Sequence, residues 1–168
     1  MTLKIYVAGP LFTPYHRAFH ARNAARLRSE GFVCLVPHER SVAMAIEWDT
    51  GTPTTPIGIF DMDYDMVAEA DAIVALLDDP DISSGLTCEF GIFWSMMQRD
   101  PSKKGVLGLL TDERGKWRDD AGVPAVNAFS LGCLLDMGCV YTNIDRVIAH
   151  LKGWREGRTD LPKGELFL

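Results

Sequence analysis

Two carboxylates and a tyrosine carry the chemistry this sequence can do. Glu89 lies in Ser84-Gly85-Leu86-Thr87-Cys88-Glu89-Phe90-Gly91, just after the unbroken apolar run Ala72-Ile73-Val74-Ala75-Leu76-Leu77. That run has the length and composition of a fully buried strand. Beyond it, Phe90, Phe93, Trp94 and Met97 recur at i, i+3, i+4 and i+7, one face of a helix. The stretch between is therefore a strand-to-helix loop, at the end of the sheet where open α/β folds hold ligands. Gly85 permits a sharp turn or a close approach to a ligand, and Ser84 or Thr87 can cap the helix. Glu89 is then expected in the first turn, where the helix dipole favours an anion. A carboxylate kept ionised beside a ligand crevice can serve as nucleophile or base. The same residue can equally be no more than a favourable first-turn charge.

Asp63 stands between Asp61 and Asp65 on a helix predicted from Ile57 or Ile59 to Glu69. Carboxylates on a helix surface are commonly just solvated. The N-terminal half of this helix, however, precedes the apolar strand and lies at the same end of the sheet as Glu89. Tyr6 sits in the first strand, Lys4 to Ala8, which Gly9-Pro10-Leu11-Phe12 breaks. Gly9 permits close approach to a ligand, but the loop is not GxGxxG and carries no dinucleotide fingerprint. Tyr6, Gly9, Asp63 and Glu89 can thus all reach the carboxyl ends of the first and third strands.

The elements that must position these residues alternate. A helix is expected over about Thr13 to Glu30, with Thr13-Pro14 as cap and first position and Gly31 as terminator. Its apolar side reads as Ala18, Ala21, Ala25 and Leu27. Phe32 to Val36 is the second strand. Residues 43–48 suggest a short helix, in which Trp48 either covers a ligand or packs on the sheet, and 51–56 a loop. In the third helix Phe60, Tyr64, Val67 and Ala68 fall roughly on one side. Gly105 to Leu110 is the next buried strand, followed by a charged loop to Gly122. A helix opens near Val126-Asn127-Ala128-Phe129, Cys139-Val140-Tyr141 is a last strand, and Ile144 to about Trp154 a last helix. The end, Glu165-Leu166-Phe167-Leu168, is apolar enough to dock. About five strands alternating with helices imply a doubly wound, flavodoxin-like parallel sheet flanked by helices, as one domain over 1–168.

Composition bounds the partners. Apolar residues make up 47% and charged residues 24% of 168, as expected of a soluble globular domain. The net charge of -6 argues against a phosphate-backbone surface, though not against a small nucleotide in a local pocket. Cys34, Cys88, Cys133 and Cys139 form no CxxC pair and no zinc-ligand spacing, so reduced thiols in a cytoplasmic protein are expected. Met1-Thr2-Leu3-Lys4 runs straight into a strand, so no signal sequence is expected, and no segment has the length and apolarity to span a bilayer.

Four pieces, in order, resemble the nucleoside 2-deoxyribosyltransferase family. They are Ile5-Tyr6-Val7-Ala8-Gly9-Pro10-Leu11-Phe12, Phe60-Asp61-Met62-Asp63-Tyr64 with Ala70 through Asp78, the Ser84–Gly91 stretch, and Val126-Asn127-Ala128-Phe129. The third is similar to the family's SGTxxExG signature, with Leu86 where threonine is commoner. The fourth resembles its xNLM segment. The resemblance implies that Glu89 is the nucleophile on the anomeric carbon. It implies that Asp63 is the acid for the departing base and Tyr6 the tyrosine orienting the nucleophile. It also implies a homo-oligomer, in which Asn127 and Phe129 enter a neighbour's site and Asn127 binds the sugar 5'-hydroxyl. Substrates would be nucleosides and nucleobases, with Gly9, Phe12, Ser83 and Gly85 along the binding crevice and no metal or organic cofactor. One departure stands out. The family usually has an aspartate at the position of Ser83, contacting the 5'-hydroxyl. Related hydrolases of deoxynucleoside 5'-monophosphates have serine there. Three readings follow: a transferase, with Asp81 as a possible source of the missing carboxylate, a monophosphate N-glycosidase, or a non-catalytic binding module on the same fold.

Overall fold

The computed structural model describes residues 2–40, 55–78, 82–116 and 126–168. The expectations for 43–48, Trp48 and Asp81, and those for most of the charged loop before Gly122, lie outside the described residues. Strands β1 (Lys4–Ala8), β2 (Val33–Leu35), β3 (Ala72–Leu76), β4 (Gly105–Leu109) and β5 (Cys139–Tyr141) form one parallel sheet in the order β2-β1-β3-β4-β5. The order reverses between β1 and β3, which makes that edge the place for a ligand in a doubly wound fold. Helices α1 (Pro14–Ser29) and α5 (Ile144–Arg155) cover one face, and α2 (Pro56–Glu69), α3 (Ser84–Met97) and α4 (Ala128–Met137) cover the other. The neighbours β3 and β4 are buried at all ten of their positions, the expected result for parallel strands covered on both sides.

The helix boundaries follow local chemistry. Thr13 caps α1 by accepting the His16 amide at 3.1 Å, and Pro14 takes the first position, where its missing N–H costs nothing. Gly31, at φ 84°, ends the turn after α1. Thr55 caps α2 by accepting from the Gly58 amide at 3.1 Å. At its other end Lys103 Nζ donates to the carbonyls of Ala68 and Ala70, both at 2.5 Å. That cation satisfies carbonyls a helix C-terminus leaves open.

Three helix faces differ from the sequence expectation. In α1 the buried side is His20, Asn23, Ala24 and Leu27, while Ala18, Ala21 and Ala25 are exposed. The spacing i, i+3, i+4, i+7 is helical, but two of its four members are polar, so hydrophobicity does not reveal it. In α2, Met66 and Val67 are buried, whereas Phe60 and Tyr64 stack on each other at 5.8 Å and stay exposed. In α3, Leu86, Phe90 and Phe93 are buried, and Trp94 sits at the margin, donating its indole N–H to Asp136 at 2.7 Å.

The chain end docks, as its apolarity suggests. Val140 donates to the Glu165 carbonyl at 2.9 Å, Leu168 to Val140 at 3.0 Å and Thr142 to Leu168 at 3.1 Å. Leu166 and Phe167 pack on one core cluster and Leu168 on the other. The tail thereby covers the free edge of β5, which would otherwise offer unpaired backbone groups to another chain. Removing residues 164–168 is expected to cost roughly 2–4 kcal/mol of apolar burial. For a chain of this size that lowers the melting temperature by roughly 5–15 °C. Thermal melts with light scattering should show the drop together with aggregation; an unchanged melt would make the tail passive.

Candidate active site

The site is built from three distant parts of the chain. Tyr6 projects from β1 toward α2 and α3 and is 1% exposed. Its hydroxyl donates to Glu89 Oε1 at 2.8 Å. Glu89 Oε2 is buried and has no hydrogen-bond partner among the described residues. The same is true of Oδ1 of Asp63, on α2. Asp61 and Asp65 are exposed on either side of it, so only the middle aspartate turns inward.

Burial governs the charges. It pushes the Glu89 carboxyl up to about 7; the Tyr6 hydrogen bond pulls the other way, and the Asp63 charge adds to the rise. Burial also raises Asp63 above the usual carboxylate range. Tyr6 is held far above its ordinary value, first by burial, then by the charges of Glu89 and Asp63 and the bond to Glu89. Tyr6 is therefore a fixed neutral donor. Burial makes each of these two carboxyls hold its proton more readily than a solvated one, so each can take part in proton transfer or nucleophilic attack.

This corrects the expectation for Glu89. Helix α3 begins at Ser84, so Glu89 is its sixth residue, in the second turn, and the first turn holds no acidic side chain. The helix dipole does not keep it ionised; desolvation opposes its charge. The cap is Ser83 rather than Ser84 or Thr87: its hydroxyl accepts the Leu86 amide at 3.2 Å, while the Thr87 hydroxyl donates back to the Ser84 carbonyl at 2.8 Å. Because Ser83 spends a lone pair on the cap, its own O–H remains available to donate. Gly85 is helical and exposed, and a Cβ there would meet nothing within 4 Å, so no turn requires glycine. Gly9 is the reverse. At φ 140°, its missing Cβ would lie 2.9 Å from Leu76 Cβ and carbonyl oxygen and 3.1 Å from His20 Cε1. Packing within the chain, rather than a ligand, already demands glycine there.

Asn127 and Phe129 are not hydrogen-bonded into the Tyr6–Glu89 pair. Asn127 caps α4, its Oδ1 accepting the amides of Phe129 at 3.0 Å and Ser130 at 3.2 Å. Phe129 is 90% exposed, and Phe12, in the β1–α1 loop, is 80% exposed. Sequence reading passed over Asp78, whose carboxylate collects donors from the chain after β4. A polar residue directly after an unbroken apolar strand was the available signal. Among the described residues no three His, Cys, Asp or Glu side chains group as metal ligands, and all four cysteines are free. No described helix is long and apolar enough to cross a membrane.

The chain is similar to a conserved protein from Enterococcus faecalis V583, at 22% identity and TM-score 0.72, covering 92% of this chain and 99% of that one. It is similar to a 2-desoxiribosyltransferase from Leishmania mexicana, at 22% identity and TM-score 0.60, with 89% and 96% covered. A 2-deoxyribosyltransferase from Bacillus psychrosaccharolyticus follows at 17% identity and TM-score 0.58, with 86% and 90% covered. At these identities the likeness shows the shared fold. No curated relative matches the sequence. The family model for nucleoside 2-deoxyribosyltransferase matches residues 5–129, a span that holds Tyr6, Asp63, Glu89 and Asn127, and the chain belongs to that family.

Proposed function

We propose that this protein cleaves the N-glycosidic bond of 2'-deoxynucleosides through a covalent deoxyribosyl ester on Glu89, and passes the sugar to another nucleobase or to water. The observation that carries this reading is the Tyr6–Glu89 contact. One carboxylate oxygen is anchored by a neutral phenol, and the other is buried with no partner among the described residues. In the reaction, Oε2 forms a bond to the anomeric carbon as the carbon–nitrogen bond breaks. The departing base takes a proton from Asp63. An incoming base nitrogen, or water, then attacks the same carbon, releases Glu89 and returns its proton to Asp63. Two inversions give net retention, the logic of retaining glycosidases. Intact-mass spectrometry after brief incubation with deoxyadenosine or deoxycytidine should show a deoxyribosyl adduct, lost in Glu89→Ala. No adduct and no base release with any donor would leave a binding module.

A second reading, hydrolysis of deoxynucleoside 5'-monophosphates, is favoured by Ser83. Its free O–H can donate to a phosphate that a carboxylate would repel. The same adduct assay with the monophosphates separates the two. We propose further that the active form is a homo-oligomer. Phe129, an aromatic ring almost wholly in solvent beside Asn127, suits insertion into a neighbour. Sedimentation at assay concentration should show the oligomer; a fully active monomer would remove the shared site.

A further inference from the structure

A second cavity opens at the carboxyl end of the sheet, on the face away from Tyr6 and Glu89. It lies between α1 and the start of α5, over the ends of β4 and β5, and measures about 390 Å³. Phe19, Leu109 and Ile144 give it an apolar lining that belongs to the core cluster under α1. Tyr6 belongs to the opposite cluster, so the sheet stands between this space and the candidate active site. Three side chains of α1 border it at i, i+1 and i+4: Arg22, Asn23 and Arg26. Asn23 is 4% exposed, and among the described residues its side-chain amide has no hydrogen-bond partner. A buried amide without a bond costs the fold free energy, and a polar occupant of the cavity removes that cost.

The other donors point to the same kind of occupant. The Arg22 guanidinium rests 4.6 Å from the centre of the Phe19 ring and has no carboxylate partner among the described residues. Arg26 donates one N–H to Asp145 Oδ1 at 2.6 Å, which leaves further N–H groups of its fork open. The hydroxyls of Thr111 and Thr142 are already spent, on Asp78 and on the Leu168 carbonyl. Asn143 caps the Asp145 and Arg146 amides at 2.8 and 3.2 Å, so α5 contributes the positive end of its dipole rather than free amides. Two guanidinium groups face one carboxylate here, a net positive wall in a chain of net charge -6. Planar guanidinium forks match the oxygens of a phosphate. We propose that this cavity binds a phosphate monoester, its phosphate held by Arg22, Asn23 and Arg26 and its ring buried against Phe19, Leu109 and Ile144. The apolar lining favours the ester over free phosphate, because only the ester has a group to bury. The site is separate from the proposed glycosyl transfer, and neither reading needs the other.

Titration of the full chain with phenyl phosphate and with inorganic phosphate, at constant ionic strength, tests it. Backbone amide shifts in NMR report where each probe goes. Amides of 19–26 and 142–146 should shift and saturate, with a Kd for phenyl phosphate of about 1 mM or tighter. Inorganic phosphate should bind at the same residues at least about threefold more weakly. Arg22→Ala and Asn23→Ala should each weaken phenyl phosphate by at least about tenfold. Arg99→Ala removes the same charge from the groove between α2 and α3, on the other side of the sheet, and should change the affinity by less than about twofold. No saturable shift at 19–26, or an equal loss in Arg99→Ala, overturns the site. Shifts confined to the surroundings of Tyr6 and Glu89 would move the phosphate to the candidate active site and overturn it as well. Equal affinity for the two probes would overturn the ester and leave a free-phosphate site. Should Asn23→Ala not fold, Arg22→Ala carries the test, because Arg22 is exposed on α1. Phenyl phosphate should also raise the melting temperature of the wild type and not that of Arg22→Ala; an equal rise in both would count against the site.

Discussion

Glu89→Gln is expected to abolish sugar transfer and, above pH 7, to make the protein more stable. The kinetic half follows from losing the nucleophile, a change of orders of magnitude in rate. The stability half follows from burial. The folded-state value is raised from 4.5 to about 7. Below about pH 4.5 the carboxyl is protonated in both folded and unfolded chains, and it costs nothing. As pH rises from there toward 7 the unfolded chain ionises first, so stability is lost across that window. Above about pH 7 the loss is complete, at about 3 kcal/mol for a difference of this size. The buried amide has no charge to desolvate, and its carbonyl still accepts from Tyr6. Chemical denaturation of both proteins at pH 4.5 and pH 8 reads the difference: near zero at the first, in favour of the glutamine at the second. Equal stabilities at pH 8, or more than about a tenth of wild-type turnover in the variant, would remove Glu89 from the role. Wild-type kcat/KM should also rise as pH approaches 7, where the nucleophile ionises. A site that strains its own fold for chemistry is a familiar trade.

Ser83→Asp is expected to keep or improve transfer from deoxynucleosides and to cut cleavage of their 5'-monophosphates by about a hundredfold or more. The fold should accept the change, because aspartate caps a helix as well as serine does. One carboxylate oxygen can take the Leu86 amide that Ser83 now accepts. The other is free for the ligand. A 5'-hydroxyl donated to that oxygen makes a charged-group hydrogen bond, worth about 1.5–3 kcal/mol. A phosphate dianion a few ångströms away meets like charge instead, at about 4 kcal/mol per unit pair near a protein surface. The two readings of the 5' end therefore predict opposite signs for one substitution. We expect the deoxynucleoside, because Asn127 and the Gly9–Phe12 loop both match the transferase pattern. Wild-type protein that turns over monophosphates well and ignores deoxynucleosides would reverse that expectation.

Much of this protein is legible in its sequence, and the reason is that the signals are local. A strand buried on both faces needs an unbroken apolar run, and Ala72 to Leu77 supplies one. Thr13-Pro14 marks a helix start by chemistry that involves only a few neighbouring residues. The alternation of strands and helices then leaves few topologies, and the order of motifs along the chain points to the family. What the sequence left open depends on residues far apart along it. Tyr6 and Glu89 are 83 positions apart, and nothing local says that they touch. Whether Asp61, Asp63 or Asp65 turns inward depends on how α2 rolls against α3. The polar members of the buried α1 face, His20 and Asn23, are hidden by their own polarity. The protonation of Glu89 is decided wholly in three dimensions. Position near a helix start argues for an ionised carboxylate, while the packing of β1, α2 and α3 strips away the water that would keep it so. Desolvation belongs to the assembled core, so the charge state of the candidate nucleophile became visible only there.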